Sequence, residues 1–285
     1  MRIRKAVIPA AGQGTRLLPL TKSQPKETLP IGRKPVIQHV VDEILSAGIE
    51  RILIITNQDK PLIKEHFDKN KSLSRKMSYV YQEVRPDLPY GLAYAIGLAE
   101  DFVGTDPFLV CLGDCIIGSG DQVRSDLGAA PALLERLIHT HVTHKAAVTI
   151  AFEEVSWEKV SRYGIARPRG TVEEEFQLDG IVEKPPSESA PSNLAVAARY
   201  VFEPEILHYI RQTKPGVKKE LQITDSIGLL LRDERPVWGV PLRKDEVRYD
   251  IGGFAGYFRA FFDFAMTDEE VGEEFRHYAR RRSNG

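Results

Sequence analysis

Neither sign of charge predominates in this sequence: 39 Lys and Arg stand against 40 Asp and Glu, a formal net charge of −1. A global basic field, the usual driver of non-specific nucleic-acid binding, is thereby excluded, so any anion site must be local. Cysteine is nearly absent as well. Cys111 and Cys115 are too few for a disulfide framework and too few for a zinc site, and beside a predicted strand end they read as reduced thiols of a cytosolic protein. Long apolar runs are missing too: no stretch approaches the roughly 18 uninterrupted apolar residues of a membrane span. The run after Arg2, Arg4 and Lys5 is about six residues long and is interrupted by Pro9 and Gly12, short of the ~7–15 of a secretory signal core. The expected location is the cytoplasm, with neither nucleic acid nor membrane as a partner. Arg280, Arg281 and Arg282 read as a frayed, solvated end.

What is present suffices for a substantial core: 285 residues with 42% hydrophobic content. Residues 6–11 form an apolar run of strand length. Residues 35–47 place Val36, Ile37, Val40, Val41, Ile44 and Leu45 at helical spacing, with Gly48 as a C-terminal cap, and residues 51–56 read as a buried parallel strand. Strand, helix, strand makes a βαβ unit. A short helix over 61–67, a charged surface stretch over 69–76, a strand over 77–81, a helix over 90–102 and a strand over 107–112 follow. Pro131 must kink or split a helix over 121–144, and residues 146–152 return to the sheet. The second half has short strands at 164–167, 180–183, 195–202 and 237–241, with helices at 204–212, 224–232, 256–264 and 268–282. The pattern predicts a Rossmann-like, three-layer α/β fold whose ligands belong at the carboxyl ends of the strands, where Gly12, Gln82 and Asp114 all fall. Repeats and low-complexity linkers are absent, so one continuous fold with two lobes is expected.

The strand over 6–11 ends in small residues, Ala10-Ala11-Gly12-Gln13-Gly14-Thr15, whose backbone N–H groups can approach a phosphate closely. The Gly-Lys-Ser/Thr ending of a Walker loop is missing, and so is the third Gly of a Rossmann fingerprint. Gly12 and Gly14 alone would suit a plain turn. Arg16 and Lys26 change that, because they stand in a segment whose prolines, Pro19, Pro25 and Pro30, forbid a continuous helix. Two cations on a stiff loop beside a glycine turn suit a triphosphate.

The pattern Gly-x-Gly-Thr-Arg-x-x-Pro at residues 12–19, followed by Pro-Lys-Glu-x-Leu-Pro at 25–30, resembles that of the sugar-1-phosphate nucleotidylyltransferases, in the form of the bacterial UTP–glucose-1-phosphate uridylyltransferases. The likeness runs from Lys5 to about Tyr257. It implies a mixed sheet of the nucleotide-diphospho-sugar transferase type, with a nucleotide lobe over about 1–155 and a smaller sugar-side and C-terminal lobe over about 156–285. It also implies transfer of UMP from UTP to α-D-glucose 1-phosphate with Mg²⁺, and homo-oligomers.

Residue roles follow from the same resemblance. Ala10, Ala11, Gly12, Gly14 and Thr15 would bind nucleotide, with Arg16 and Lys26 on the triphosphate. Asp114, after the apolar residues 110–112, and Asp250 would hold Mg²⁺, although an Asp after a strand is also a common turn or cap residue. In Glu183-Lys184-Pro185, Glu183 would meet sugar hydroxyls and Lys184 the sugar phosphate. Strand alternation would point these two apart, and Pro185 is expected to break it. Gln82 would read the uracil edge while Gly91 leaves room for the base. Tyr163, Gly164 and Asn193 would contact the sugar ring, a turn and a strand being the plainer reading of each. Residues 220–225 match the family too, and Thr224 and Asp225 also suit a helix cap.

At one place the chain departs from the pattern: Gly253-Phe254 follows Asp250-Ile251-Gly252 where the close uridylyltransferases usually carry Asn-Lys. That loss bears on the acceptor more than on the reaction. The alternatives are dTTP or another sugar 1-phosphate, or a regulator that binds nucleotide sugars without turnover. The aromatic helix over 257–264 reads either as a core helix or as an interface.

Overall fold

A computed structural model describes residues 2–83, 85, 90–119, 132–216 and 220–283. Nine strands form one mixed sheet in the order Met77–Tyr81, Arg51–Thr56, Lys5–Pro9, Phe108–Cys111, Leu194–Phe202, Val148–Glu154, Val237–Pro241, Phe176–Glu183, Gly164–Arg169. The first four are mutually parallel, with Ala6 opposite both Ile52 and Leu109, and Leu194–Phe202 then runs antiparallel to Phe108–Cys111. That strand of the second half lies between strands of the first, so the sheet is continuous across both.

Strand alternation produces the three layers. Ala6, Ile8, Ile52 and Ile54 bury on one face against the helices Val36–Ser46, Pro61–Asp68 and Ala132–Thr143. Val7, Leu53 and Ile55 bury on the other with the helices Leu92–Gly97, Ile206–Gln212 and Ile223–Arg232. Each Ile, Leu or Val of these sets, fully buried, contributes about 1.5–3 kcal/mol. Helix Val36–Ser46 ends as its apolar spacing predicts, with Gly48 at φ 79° donating its N–H to Leu45 O at 3.1 Å.

Several expectations are corrected. The helix expected over 90–102 is two, Leu92–Gly97 and Glu100–Val103, and the charged stretch over 69–76 contains a short helix, Lys71–Ser74, capped by the Asn70 side chain. Of the helix expected over 121–144, the described part is Ala132–Thr143; Pro131 and the residues before it lie outside the described residues. Arg280, Arg281 and Arg282 are exposed but helical, in the last turn of Gly272–Ser283, where the helix dipole favours cations. Helix Phe254–Thr267 is no core helix: Ala260 is its one fully buried residue, and Phe258 is 61% exposed.

Candidate active site

The phosphate-type loop leaves the middle of the parallel strands at Ala10 and Ala11, both buried, and Asn57 Nδ2 donates to Ala11 O at 3.1 Å. Gly14 sits at φ 67° just before the 3₁₀ turn Thr15–Leu17, and an added Cβ would stand 3.0 Å from Thr21 Cγ2. The left-handed backbone favours glycine there, and Thr21 would have to give way to any side chain. Beneath the loop lies a buried cation that no local sequence pattern announces. Lys60, 7% exposed, donates from Nζ to Ala10 O at 2.8 Å, to Gly12 O at 2.5 Å and to Glu27 Oε2 at 2.9 Å. Glu27 is 1% exposed. Burial pushes its carboxyl up and pulls the Lys60 ammonium down, and each is the other's main support. The pair staples the glycine loop to the Pro25-Lys26-Glu27 turn.

From that turn Lys26 reaches across to Asp114, its Nζ donating to Oδ2. Burial works against the Lys26 charge, but the carboxylates of Asp114, Glu27 and Asp250 prevail, so its pKa lies above the ordinary lysine value. Asp114 mirrors this: burial raises it, Lys26 more than compensates, and it ends below the usual carboxylate range.

No spacing rule joins Asp114 to Asp250, and a two-stranded ribbon does. Cys115–Ser119 and Glu246–Asp250 pair antiparallel, with Cys115 opposite Asp250. Ile251 N also donates to Asp114 O at 2.9 Å. The ribbon buries Ile116 and Tyr249 with Leu17, Leu29, Ile31 and Ala260 in a small separate core, so the glycine loop, the Lys26 turn and both acids rest on one support. Asp250 Oδ1 accepts from Gly252 N at 2.8 Å. A Cβ on Gly252 would stand 2.5 Å from an Arg16 guanidinium nitrogen and 2.8 Å from Asp250 Oδ1. Glycine there leaves space for both the Arg16 guanidinium and the Asp250 carboxylate. Among the described residues no three His, Cys, Asp or Glu side chains cluster for a metal. Two carboxylates, hard oxygen donors with room for phosphate and water, fit Mg²⁺ better than a softer ion.

A cavity of about 1880 Å³ joins this end to the second half of the chain, lined by Thr15, Arg16, Asp114, Asp250, Glu183 and Lys184 among others. Glu183 and Lys184 both face it, and Pro185 is not the cause. Lys184 itself takes φ 46°, its N–H donating to Tyr163 O at 2.9 Å, which breaks strand alternation one residue earlier than expected. Lys184 Nζ lies 2.7 Å from Glu183 Oε1, and Thr224 Oγ1 donates to Glu183 Oε2 at 2.9 Å. Thr224 is therefore more than a helix residue. Gly164 lets them meet, since a Cβ there would stand 2.6 Å from Thr224 Cγ2.

Tyr163 lines the cavity with its ring under the Arg248 guanidinium, 4.6 Å from the ring centroid, and Arg248 is held by Glu153. Of the predicted site residues, Asn193, Gln82, Gly91, Ala10, Ala11, Gly12, Gly14 and Lys26 are not among the lining residues. Asn193 Nδ2 donates to Val155 O at 3.3 Å, and Gln82 N donates to Thr56 O at 2.7 Å just past its strand. At Gly91, φ 117°, the space a side chain would take is filled by the Leu221 backbone, 2.5 Å from the Cβ position. That contact accounts for glycine there without a base. Arg199 is fully buried in the central strand Leu194–Phe202, bidentate to Glu43 and donating to Cys115 O at 2.9 Å, next to Asp114.

Comparison with known proteins identifies the family. Residues 5–267 match the family model described as nucleotidyl transferase. The chain is 36% identical to the UTP–glucose-1-phosphate uridylyltransferase of Bacillus subtilis (strain 168), covering 96% of this chain and 94% of that one. It is 37% identical to that of Streptococcus pyogenes, over 97% and 93%. Among solved structures, a UDP-glucose pyrophosphorylase complexed with UDP-glucose superposes with a TM-score of 0.82 at 34% identity, covering 94% of this chain and all of that one. The UTP-bound enzyme from Acinetobacter baumannii gives 0.79 at 32% identity, over 98% and 99%. With Thr15 and Arg16 of the loop's far end, the two acids and the Glu-Lys turn on one cavity, this chain belongs to the nucleotidyl transferase family.

Proposed function

We propose that this chain is a Mg²⁺-dependent enzyme that transfers UMP from UTP to α-D-glucose 1-phosphate, giving UDP-glucose and pyrophosphate in the cytoplasm. The observation that carries the reading is that Arg16, Asp114, Asp250, Glu183 and Lys184 face a single cavity, with Lys26 bonded to Asp114 at its edge. Binding alone would tolerate loss of a carboxylate, so retention of the whole set favours turnover over a regulator.

No general base is required, because the sugar-phosphate oxygen is an anion at neutral pH and attacks the α-phosphorus in line. Catalysis is then positioning and charge neutralisation. Ala10, Ala11, Gly12, Gly14 and Thr15 present the loop to the nucleotide, while Arg16 and Lys26 hold the triphosphate and the departing pyrophosphate. Lys184 offsets repulsion between the two anionic substrates, roughly 4 kcal/mol per charge pair at ~4 Å and an effective dielectric of about 20. Glu183, oriented by Thr224, accepts from sugar hydroxyls, with Tyr163, Gly164 and Asn193 on the same side. Gln82 reads the uracil edge, and Gly91 shapes that end through its contact with Leu221. Asp114 and Asp250 would hold Mg²⁺, which would withdraw charge from the α-phosphate.

The functional lobes divide near residue 155, nucleotide before and sugar after. The exposed aromatic face of helix Phe254–Thr267, with Phe258, Phe261 and Phe262, is the surface through which the chain self-associates. A second reading, another sugar 1-phosphate with the same nucleotide, is favoured by Gly253 and Phe254 alone, which place no cation beside Asp250. Pyrophosphate release with UTP against a panel of sugar 1-phosphates separates the two: glucose 1-phosphate should give the highest kcat/KM, and a galactose or N-acetylglucosamine 1-phosphate that exceeds it overturns the acceptor.

A further inference from the structure

One of the two acids at the proposed Mg²⁺ site has a cation bonded to it: Lys26 Nζ donates to Asp114 Oδ2. The Lys26 and Asp114 side chains are 14% and 17% exposed, so water screens the pair little. We infer that Lys26 is the gate of the metal site: its ammonium holds the divalent ion's place on Asp114 until a nucleoside triphosphate draws it off, so metal and nucleotide bind together and the free protein binds the metal weakly. This rests on the assignment of Asp114 as a metal ligand.

Three features carry it. A dication on Asp114 would stand beside the Lys26 ammonium with like charge, so the lysine must move. Among the described residues its other nearby carboxylates are engaged: Glu27 is buried and already accepts from Lys60 at 2.9 Å, and Asp250 would be taken by the same dication. An ammonium left there without a partner is costly. The glycine loop, however, is close at hand: the Cβ position of Gly12 lies 3.5 Å from Lys26 Nζ, so a phosphate on that loop takes over the ammonium after a short shift. Finally, the described residues bring no third metal-ligating side chain to the two acids, and phosphate oxygens would complete the shell. One triphosphate thus satisfies both the lysine and the metal, and by linkage each ligand strengthens the other.

The test measures Mn²⁺ binding without nucleotide, by electron paramagnetic resonance of the free ion, on the full-length protein and its Lys26→Met, Lys26→Gln and Lys26→Arg variants. The neutral variants should bind Mn²⁺ tenfold or more tightly than the parent, whereas Lys26→Arg, which keeps the charge, should not. Lys26→Gln keeps a polar end without the charge and gives the same reading should Lys26→Met fail to fold. Adding Asp114→Asn to the neutral variant should abolish the gain. Equal Mn²⁺ affinity in the parent and the neutral variants, weak or tight, overturns the gate. A gain that survives Asp114→Asn overturns instead the metal assignment beneath it.

Discussion

Replacing Lys60 by methionine separates what the buried pair does for the fold from what it does for the nucleotide. The substitution keeps most of the apolar stem and removes an ammonium that donates to Ala10 O, Gly12 O and Glu27 Oε2. Glu27, 1% exposed, is left without its nearest cation. Breaking a buried ion pair from one side costs about 3–5 kcal/mol, a large share of a typical domain's stability of about 5–15 kcal/mol. Removing both charges as Lys60→Met/Glu27→Met should recover most of that, since buried pairs replaced by apolar residues of similar volume are often neutral. Nucleotide binding should not recover, because Ala10 O and Gly12 O still lack the donor that shapes the loop. Urea unfolding of the two variants measures the first part, and KM for UTP against KM for the sugar phosphate measures the second. A single variant that loses less than about 1 kcal/mol, or a double variant with the parent's KM for UTP, refutes this division of roles.

Chelation should abolish turnover, and Asp114→Asn should lower kcat on the order of 100-fold or more with the fold intact by circular dichroism; full activity of that variant at saturating Mg²⁺ removes Asp114 from the mechanism. Lys184→Ala should raise KM for the sugar 1-phosphate by about 10–100-fold, the worth of a charge-assisted hydrogen bond, and leave KM for UTP nearly unchanged in initial-rate kinetics. His141 is buried, and burial pulls its pKa down to about 4 against an unfolded value near 6.5. Between those pH values the unfolded chain takes a proton that the folded one refuses, so stability should fall as pH drops from about 6.5 to 4, by up to about 3 kcal/mol, a figure trimmed by Glu203 Oε1 at 3.3 Å from Nε2. In His141→Gln that part of the slope in urea midpoints should vanish.

Local chemistry was legible in the sequence and long-range register was not. The apolar run before Gly12, the helical spacing of 36–45 and the Ile-rich strand 51–56 are local patterns, and they recur in the structure with small shifts of their ends. Asp114 and Asp250 meet through the pairing of Cys115–Ser119 with Glu246–Asp250, a contact between segments more than a hundred residues apart that no local pattern encodes. An alternation was available in Val247 and Tyr249, opposite Gly118 and Ile116, but it is too short to announce a strand by itself. Lys60 carries no local signal, standing as an ordinary lysine before a helix that starts with Pro61. Arg199 did carry one: a lone guanidinium inside the fully buried run Leu194–Phe202 requires a partner, and Glu43 supplies it. Lys184 turns into the cleft through its own left-handed backbone, a conformation that a lysine in sequence gives no reason to expect.

The central claim, transfer of a uridylyl group in particular, is tested most directly by kcat/KM for pyrophosphate release with glucose 1-phosphate and each of UTP, dTTP, CTP, GTP and ATP. A site that hydrogen-bonds the uracil edge leaves polar groups unpaired with the wrong base, at roughly 1–3 kcal/mol per unsatisfied group. Thymine differs only by a methyl away from that edge, so UTP should lead, dTTP should follow weakly, and CTP, GTP and ATP should stay near background, with Gln82→Ala narrowing the gap between UTP and CTP. A preference for GTP or ATP would contradict the assignment of the base and, with it, the uridylyltransferase reading.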